Sequence, residues 1–215
     1  MKKLCIFDLD GTLLGSAKYL ADNINLAFSL FGLSPVAESE CIEHFEERMS
    51  EMLLSLLSSR GARDMVLLDK IFRAYRHHPT DGSFDRIYAY GGMRDLLFRL
   101  EEQGVKIAVL TPRDEAFAKP LLYRLYPNIH HLFTFLDCEQ RKPSPDALFR
   151  ILSYFGVDRE DALYIGDSEW DIAMGKNANI RTLSVAWGYR SREYLAEHGA
   201  EDIISLPDEI FSYLY

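Results

Sequence analysis

Apolar residues fall along this chain in two alternating patterns. Short, mostly apolar runs stand at 4–7, 105–110, 162–165 and 182–185, with a weaker one at 132–136. Each strong run ends on a turn signal: Asp8 ahead of Gly11-Thr12, Thr111-Pro112, Gly166-Asp167, and Ala186-Trp187-Gly188. Runs without polar alternation suit strands buried on both faces of a parallel sheet. Between them, apolar positions recur at helical spacing over 93–103, 115–125, 145–155 and 170–178. Strand alternating with helix predicts an α/β fold, a doubly wound, Rossmann-like parallel sheet with right-handed crossovers. Such sheets bind ligands beyond the carboxyl ends of their strands, and the polar residues with the strongest chemical character here all fall just past those ends.

The stretch 16–88 breaks the alternation. It reads as helical over 17–31, 39–59 and 63–77, punctuated by Gly32, Pro35, Gly61 and Pro79-Thr80-Asp81-Gly82. A helical segment of this length after the first strand predicts a small inserted cap domain, with hinges near Gly15 and near Tyr90-Gly91-Gly92. The expected organisation is a catalytic core over 1–15 and 89–215 and a helical cap over 16–88. Phe28, Phe31, Phe45, Phe72 and Tyr75 are expected to form the cap's core.

Composition narrows the function. A formal net charge of -9 with no basic run argues against nucleic-acid or anionic-membrane partners. Cys5, Cys41 and Cys138 are widely spaced and odd in number, which reads as reduced thiols and not a disulfide framework. The apolar stretch after Met1-Lys2-Lys3 is broken by Asp8 and Asp10, unlike a signal peptide, and no run is long enough to cross a membrane. A cytoplasmic protein, monomer or homodimer, is expected.

Asp8-Leu9-Asp10-Gly11-Thr12 carries the strongest chemical signal. Two carboxylates one residue apart would face opposite ways in a regular strand, but at a strand end followed by glycine both can reach one site. A surface turn can use the same residues, though the apolar lead-in places Asp8 at the end of a buried strand. Thr111 ends another strand, where its hydroxyl can donate to a phosphate oxygen. Lys142, in Arg141-Lys142-Pro143-Ser144-Pro145, is either solvated surface or a compact charge directed at a phosphate; Pro145 suits a first helical position. Gly166-Asp167-Ser168-Glu169-Trp170-Asp171 opens a helix. Asp171 either favours the dipole at that helix start, with Asp167 or Ser168 as its cap, or the acids, joined to the first pair, give the oxygen ligands that magnesium takes. The pairs His77-His78 and His130-His131 lack the i, i+4 spacing of a helical metal site and are expected at the surface.

In this order the motifs resemble the haloacid dehalogenase superfamily, in its phosphoglycolate-phosphatase-like branch, and the resemblance covers nearly the whole chain. Trp187-Gly188-Tyr189-Arg190 and Ala200-Glu201-Asp202-Ile203-Ile204 are similar to the C-terminal part of that branch. The resemblance implies a phosphatase acting on a small phosphorylated metabolite with Mg2+ as cofactor. It implies that the strands bearing Asp8, Thr111 and Asp167 are neighbours at the sheet centre. By it, Asp8 is the nucleophile that becomes phosphorylated, and Asp10 protonates the leaving alkoxide and then activates water. Asp8, Asp167 and the backbone carbonyl of Asp10 hold the metal, Lys142 and Thr111 hold the phosphoryl group, and Asp171 acts indirectly on the metal or on Lys142.

Two positions depart from that pattern. Pro112 stands where many relatives have Asn, and proline has no N–H to offer a phosphate. Arg113 either compensates with a charge-assisted contact or is solvated surface. In the cap, Arg48 is the candidate for a second anion on the substrate, while Lys18, Arg60, Arg63, Arg73 and Arg76 are mostly expected on solvated helix faces. A phosphosugar mutase, or a regulatory module with this fold, stays open as an alternative; a dehalogenase would give Asp10 no alkoxide to protonate.

Overall fold

A computed structural model describes residues 2–77, 84–135 and 140–215. The chain divides into two compact units, Met1–Gly15 with Ala89–Tyr215, and Ser16–Tyr88. The strands are β1 (Leu4–Asp8), the short β2 (Leu14–Gly15) and β3 (Tyr88–Ala89) at the two chain passages, then β4 (Lys106–Thr111), β5 (Leu132–Thr134), β6 (Ala162–Gly166), β7 (Arg181–Val185) and β8 (Asp202–Ile204). Six of them form one sheet in the order β5-β4-β1-β6-β7-β8, every pairing parallel. From β1 the chain winds outward through β4 and β5 on one side, then through β6, β7 and β8 on the other. This is the doubly wound sheet that the apolar runs predict. The weak run at 132–136 forms its strand over three residues, and Leu136 and Cys138 lie outside the described residues.

The inserted unit carries α1 (Ala17–Ser29), α2 (Glu38–Ile42), α3 (Met49–Ser59) and α4 (Met65–His77). Helix α4 packs against both α1 and α3, through apolar stripes that bury Leu20, Ile24, Ala27, Phe28, Leu53, Leu56, Leu57, Leu68 and Ile71. The single helix expected over 39–59 is two. No glycine or proline marks the break; instead each new start is fixed by a carboxylate three residues in. Glu40 accepts the Ala37 N–H at 2.8 Å, and Glu51 accepts the Arg48 N–H at 3.0 Å. Arg48 is therefore an exposed cap residue at the start of α3 and not a mid-helix residue. The aromatic core is also smaller than expected: Phe28 and Phe45 are buried, while Phe31, Phe72 and Tyr75 are only half-buried. Arg60 is no solvated cation. It bonds Glu40 at 3.0 Å, the Pro35 carbonyl at 2.8 Å and the Ser34 carbonyl at 3.2 Å, tying the segment before α2 to the end of α3. His78 and residues 79–82 lie outside the described residues.

In the other unit, α5 (Met93–Glu102), α6 (Glu115–Leu125), α7 (Asp146–Phe155), α8 (Glu169–Ala178) and α9 (Arg192–Glu197) cover the sheet, and a 3-10 stretch follows over Pro207–Tyr213. Helix α7 presents Ala147, Leu148, Ile151 and Leu152, and α8 presents Met174 and Ala178. These close on Leu4, Ile6, Ala108, Leu110 and Tyr164 of the sheet. All five residues of β1 are buried, which is why its sequence shows no alternation. Pro145 stands one residue before α7 rather than at its first position. His131 is half-buried and packs edge-on against Tyr154 and Phe155, with His130 exposed beside it. Cys5 and Cys41 are both buried, and burial pushes the Cys5 thiol up to about 12. No helix among the described residues is long and apolar enough to cross a membrane.

Candidate active site

Strand register sets the site. Asp8 is level with Leu110 of β4, and Phe7 with Ile165 of β6. Thr111, the last residue of β4, and Asp167, the first after β6, therefore flank Asp8 on either side. The sheet stops here because a carboxylate is tolerated at a strand end, where loop groups can satisfy it, but not within a run packed on both faces. The chain then turns sharply: Leu13 and Leu14 donate back to the Leu9 carbonyl at 2.9 Å each, and Gly11 donates to the Leu14 carbonyl at 2.8 Å.

Lys142 enters from the loop ahead of α7. Its Nζ lies 2.7 Å from Asp8 Oδ1 and 2.7 Å from Asp171 Oδ1, and its side chain is 1% exposed. The solvated-surface alternative for this lysine is thus excluded by its burial. Asp171, in the first turn of α8, accepts from Tyr164 Oη and Lys142 at Oδ1, and from the Ser168 N–H (3.1 Å) and hydroxyl (2.6 Å) at Oδ2. Ser168 caps the helix in return, its Oγ accepting the Asp171 N–H at 3.3 Å. Burial alone would raise the Asp171 carboxyl, but the Lys142 ammonium and the hydrogen bonds from Lys142, Ser168 and Tyr164 hold it below the ordinary value.

Asp10 and Arg113 form a second pair. Arg113 Nε donates to Asp10 Oδ2 at 2.7 Å, with side chains only 12% and 7% exposed. Neither sequence alternative for Arg113 included this partner, because the two residues are far apart in the chain. The Arg113 N–H turns back onto Thr111 Oγ1 at 3.2 Å. The first amide after Pro112 is thus spent on holding the fully buried threonine.

Asp167 is seated against backbone. Oδ2 accepts the Tyr189 N–H at 2.8 Å, and Oδ1 faces the Thr12 hydroxyl at 3.4 Å. A Cβ on Gly11, whose φ is +85°, would stand 2.2 Å from Asp167 Oδ2, and one on Gly188 would stand 2.4 Å from its Cβ. Trp187 fastens the same loop, its Nε1 donating to the Thr12 carbonyl at 3.0 Å. Just outside, Arg190 grips Glu169 with two bonds of 3.1 and 3.2 Å.

The seven candidates Asp8, Asp10, Thr111, Arg113, Lys142, Asp167 and Asp171 thus all belong to one unit, at the carboxyl ends of β1, β4 and β6 or in the loop before α7. Arg48 belongs to the other unit. Formally, four carboxylates face two cations, an excess negative charge suited to a divalent ion. The donors are hard oxygens, as magnesium prefers. Among the described residues no group of three or more His, Cys, Asp or Glu side chains forms a ready cage. The residues that sequence reasoning overlooked are Thr12 and Tyr164, whereas Ser168 is the helix cap that the sequence offers. Tyr164 lies in an apolar run and reads there as core.

Comparison with known proteins places these residues in context. The profile of the haloacid dehalogenase-like hydrolases matches residues 5–185. A phosphoglycolate phosphatase of Rhodospirillum rubrum is 31% identical over 220 residues, covering 97% of this chain and 90% of that one. The pyrophosphatase PpaX of Halalkalibacterium halodurans is 25% identical over 206 residues, covering 94% and 93%. The crystal structure of a predicted phosphoglycolate phosphatase from Haemophilus somnus superposes with a TM-score of 0.89 at 21% identity, covering 100% of this chain and 98% of that one. At that identity the likeness is one of fold.

Proposed function

The chain belongs to the haloacid dehalogenase-like hydrolase family, and on that premise we propose that it is a magnesium-dependent phosphatase that cleaves small phosphate monoesters through a phosphorylated Asp8. The observation that carries this is the seat of Lys142, whose buried ammonium bridges Asp8 and Asp171 at 2.7 Å each. A buried cation fixed on the carboxylate at the end of the central strand both aims a nucleophile and attracts an incoming phosphoryl group.

The chemistry follows from this chain's own residues. An Asp8 carboxylate oxygen attacks phosphorus, the ester P–O bond breaks, and Asp10 delivers a proton to the departing alkoxide. Asp10 then takes a proton from water, whose oxygen attacks the same phosphorus. The bond from phosphorus to Asp8 breaks, free phosphate leaves, and both aspartates return to their starting states. Splitting hydrolysis in this way replaces one difficult step with two easier ones. Lys142 and Thr111 hold the phosphoryl oxygens, and Arg113 keeps the Asp10 carboxyl oriented. Asp8, Asp167 and the Asp10 carbonyl would hold Mg2+, which when bound neutralises charge on the transferring group. The inserted unit is proposed to act as a cap that reads the organic part of the substrate, with Arg48 a contact for a second anion.

The test is a panel of phosphorylated metabolites, with phosphoglycolate and inorganic pyrophosphate among them, assayed with magnesium, with excess chelator and with calcium. Magnesium-restored turnover of one monoester well above the rest is expected. Calcium should inhibit, since it takes more ligands in looser geometry. Full activity in chelator would contradict the metal assignment.

A further inference from the structure

We propose that Tyr164 is a positioning residue of this site, acting through Asp171 to hold Lys142 against Asp8. The inference rests on the phosphatase reading and deepens it, since no motif of the family resemblance includes this tyrosine.

Tyr164 sits in the middle of β6, level with Ile6 on one side and Thr182 on the other. Its ring is part of the apolar cluster with Leu4, Ile6, Leu148 and Ile151 and is completely buried. A phenol in such a cluster usually needs a partner for its hydroxyl. Here that partner is Asp171 Oδ1, the oxygen that also receives Lys142 Nζ at 2.7 Å. Burial, and then the nearby Asp171 charge, push the phenol well above its ordinary value, so it stays a proton donor.

The geometry leaves Asp171 no other orientation. A carboxylate offers about four acceptor positions, and four donors are in place: Tyr164 Oη and Lys142 Nζ on Oδ1, the Ser168 N–H and Oγ on Oδ2. Gly166 allows the approach, since a Cβ there would stand 2.2 Å from Asp171 Cγ. Lys142 is a flexible chain with a compact charge, so its placement depends on what its ammonium meets. Tyr164 and Ser168 fix Asp171, Asp171 fixes Lys142, and Lys142 meets Asp8. Without the phenol hydroxyl, Oδ1 keeps only Lys142, and the carboxylate can rotate and draw the ammonium away from Asp8.

Four proteins test this: wild type, Tyr164→Phe, Asp171→Asn and the double variant. Each is assayed for kcat/KM on para-nitrophenyl phosphate and for competitive inhibition by inorganic phosphate. Tyr164→Phe is expected to lower kcat/KM by about ten- to a hundredfold, the scale at which a misplaced catalytic group acts, and to weaken phosphate binding. In the Asp171→Asn background the same change is expected to be nearly silent, because residues that act through one another are not additive. Tyr164→Phe within twofold of wild type, or two factors that multiply in the double variant, would overturn the inference. Should Asp171→Asn not fold, the phosphate affinity of Tyr164→Phe decides, and an unchanged affinity overturns it. A wild type without phosphatase activity would overturn the underlying reading as well, whereas an active wild type with an unaffected Tyr164→Phe would overturn this inference alone.

Discussion

Arg113 donates from Nε to Asp10 Oδ2 across 2.7 Å, with both side chains largely shielded from water. In the proposed reaction Asp10 is the proton carrier, so its partner bears on leaving-group chemistry. Asp10→Asn is expected to cost about a hundred- to ten-thousandfold, most for alkyl phosphates, whose alkoxides need the proton. Arg113→Ala should show the same dependence at about a tenth of that size, because it disturbs orientation and leaves the carboxyl present. Rates on matched aryl and alkyl phosphates check both, once dephosphorylation is excluded as the common slow step. Equal losses on the two substrates would remove Asp10 from the role of acid.

Lys142 predicts a linked effect on activity and stability. Removing it leaves Asp8 and Asp171 buried without their shared cation, and breaking a buried ion pair costs about 3–5 kcal/mol. Lys142→Ala should therefore lose turnover and also unfold at markedly lower urea. Adding Asp171→Asn should return part of that stability, as measured by urea denaturation of the single and double variants.

The same pair sets an acid limb. The Asp171 carboxyl is held below its ordinary 3.8 in the folded protein. A depressed carboxyl adds stability that is complete above the unfolded value and is lost as pH falls through the folded one. Stability should thus fall below about pH 4, an order-of-magnitude bound from ordinary carboxyl values, and Asp171→Asn should flatten that fall. Denaturation curves measured between neutral and acid pH decide it.

Gly11 is expected to be intolerant. Its φ of +85° disfavours a side chain, and a Cβ would collide with the Asp167 carboxylate at 2.2 Å. Left-handed backbone at a non-glycine costs about 1–2 kcal/mol, to which the collision adds. Gly11→Ala should lower the melting temperature and weaken magnesium binding measured by calorimetry. A stable variant with unchanged magnesium affinity would contradict the placement of Asp167.

Two arginines of the inserted unit should separate. Arg60 is a staple of that unit, and Arg60→Ala should cost about 1–2 kcal/mol, modest because Glu40 is 37% exposed and screened. Arg48 is exposed, and Arg48→Ala should leave stability unchanged while raising KM for a substrate with a second anion and not for para-nitrophenyl phosphate. Thermal melts and KM values on the two substrate types distinguish them.

Much of this was readable before any coordinates. The apolar run ending at Asp8 marks a strand buried on both faces, and three more such runs mark its two neighbours and the strand beyond one of them. Arg113 was legible as a charge near the site but not as the partner of Asp10, since pairing across a sheet is set by register and not by spacing. Tyr164 was hidden because a phenol inside an apolar run looks like core, and most of it is. The break before Arg48 carries no glycine or proline; the new start after it is fixed by Glu51 taking the Arg48 N–H, a signal that also occurs inside helices. Strand β8 has only three residues, too few for a period to register.

The central claim is that Asp8 becomes phosphorylated, and the direct measurement is acid quenching during turnover followed by mass mapping of the peptide that contains Asp8. A phosphoryl adduct on Asp8 is expected. It should be absent from Asp8→Asn, which should also be folded and inactive. It should accumulate further in Asp10→Asn with an aryl phosphate, because the second step then lacks its base. Turnover persisting in Asp8→Asn, with no adduct on the wild-type peptide, would contradict the account.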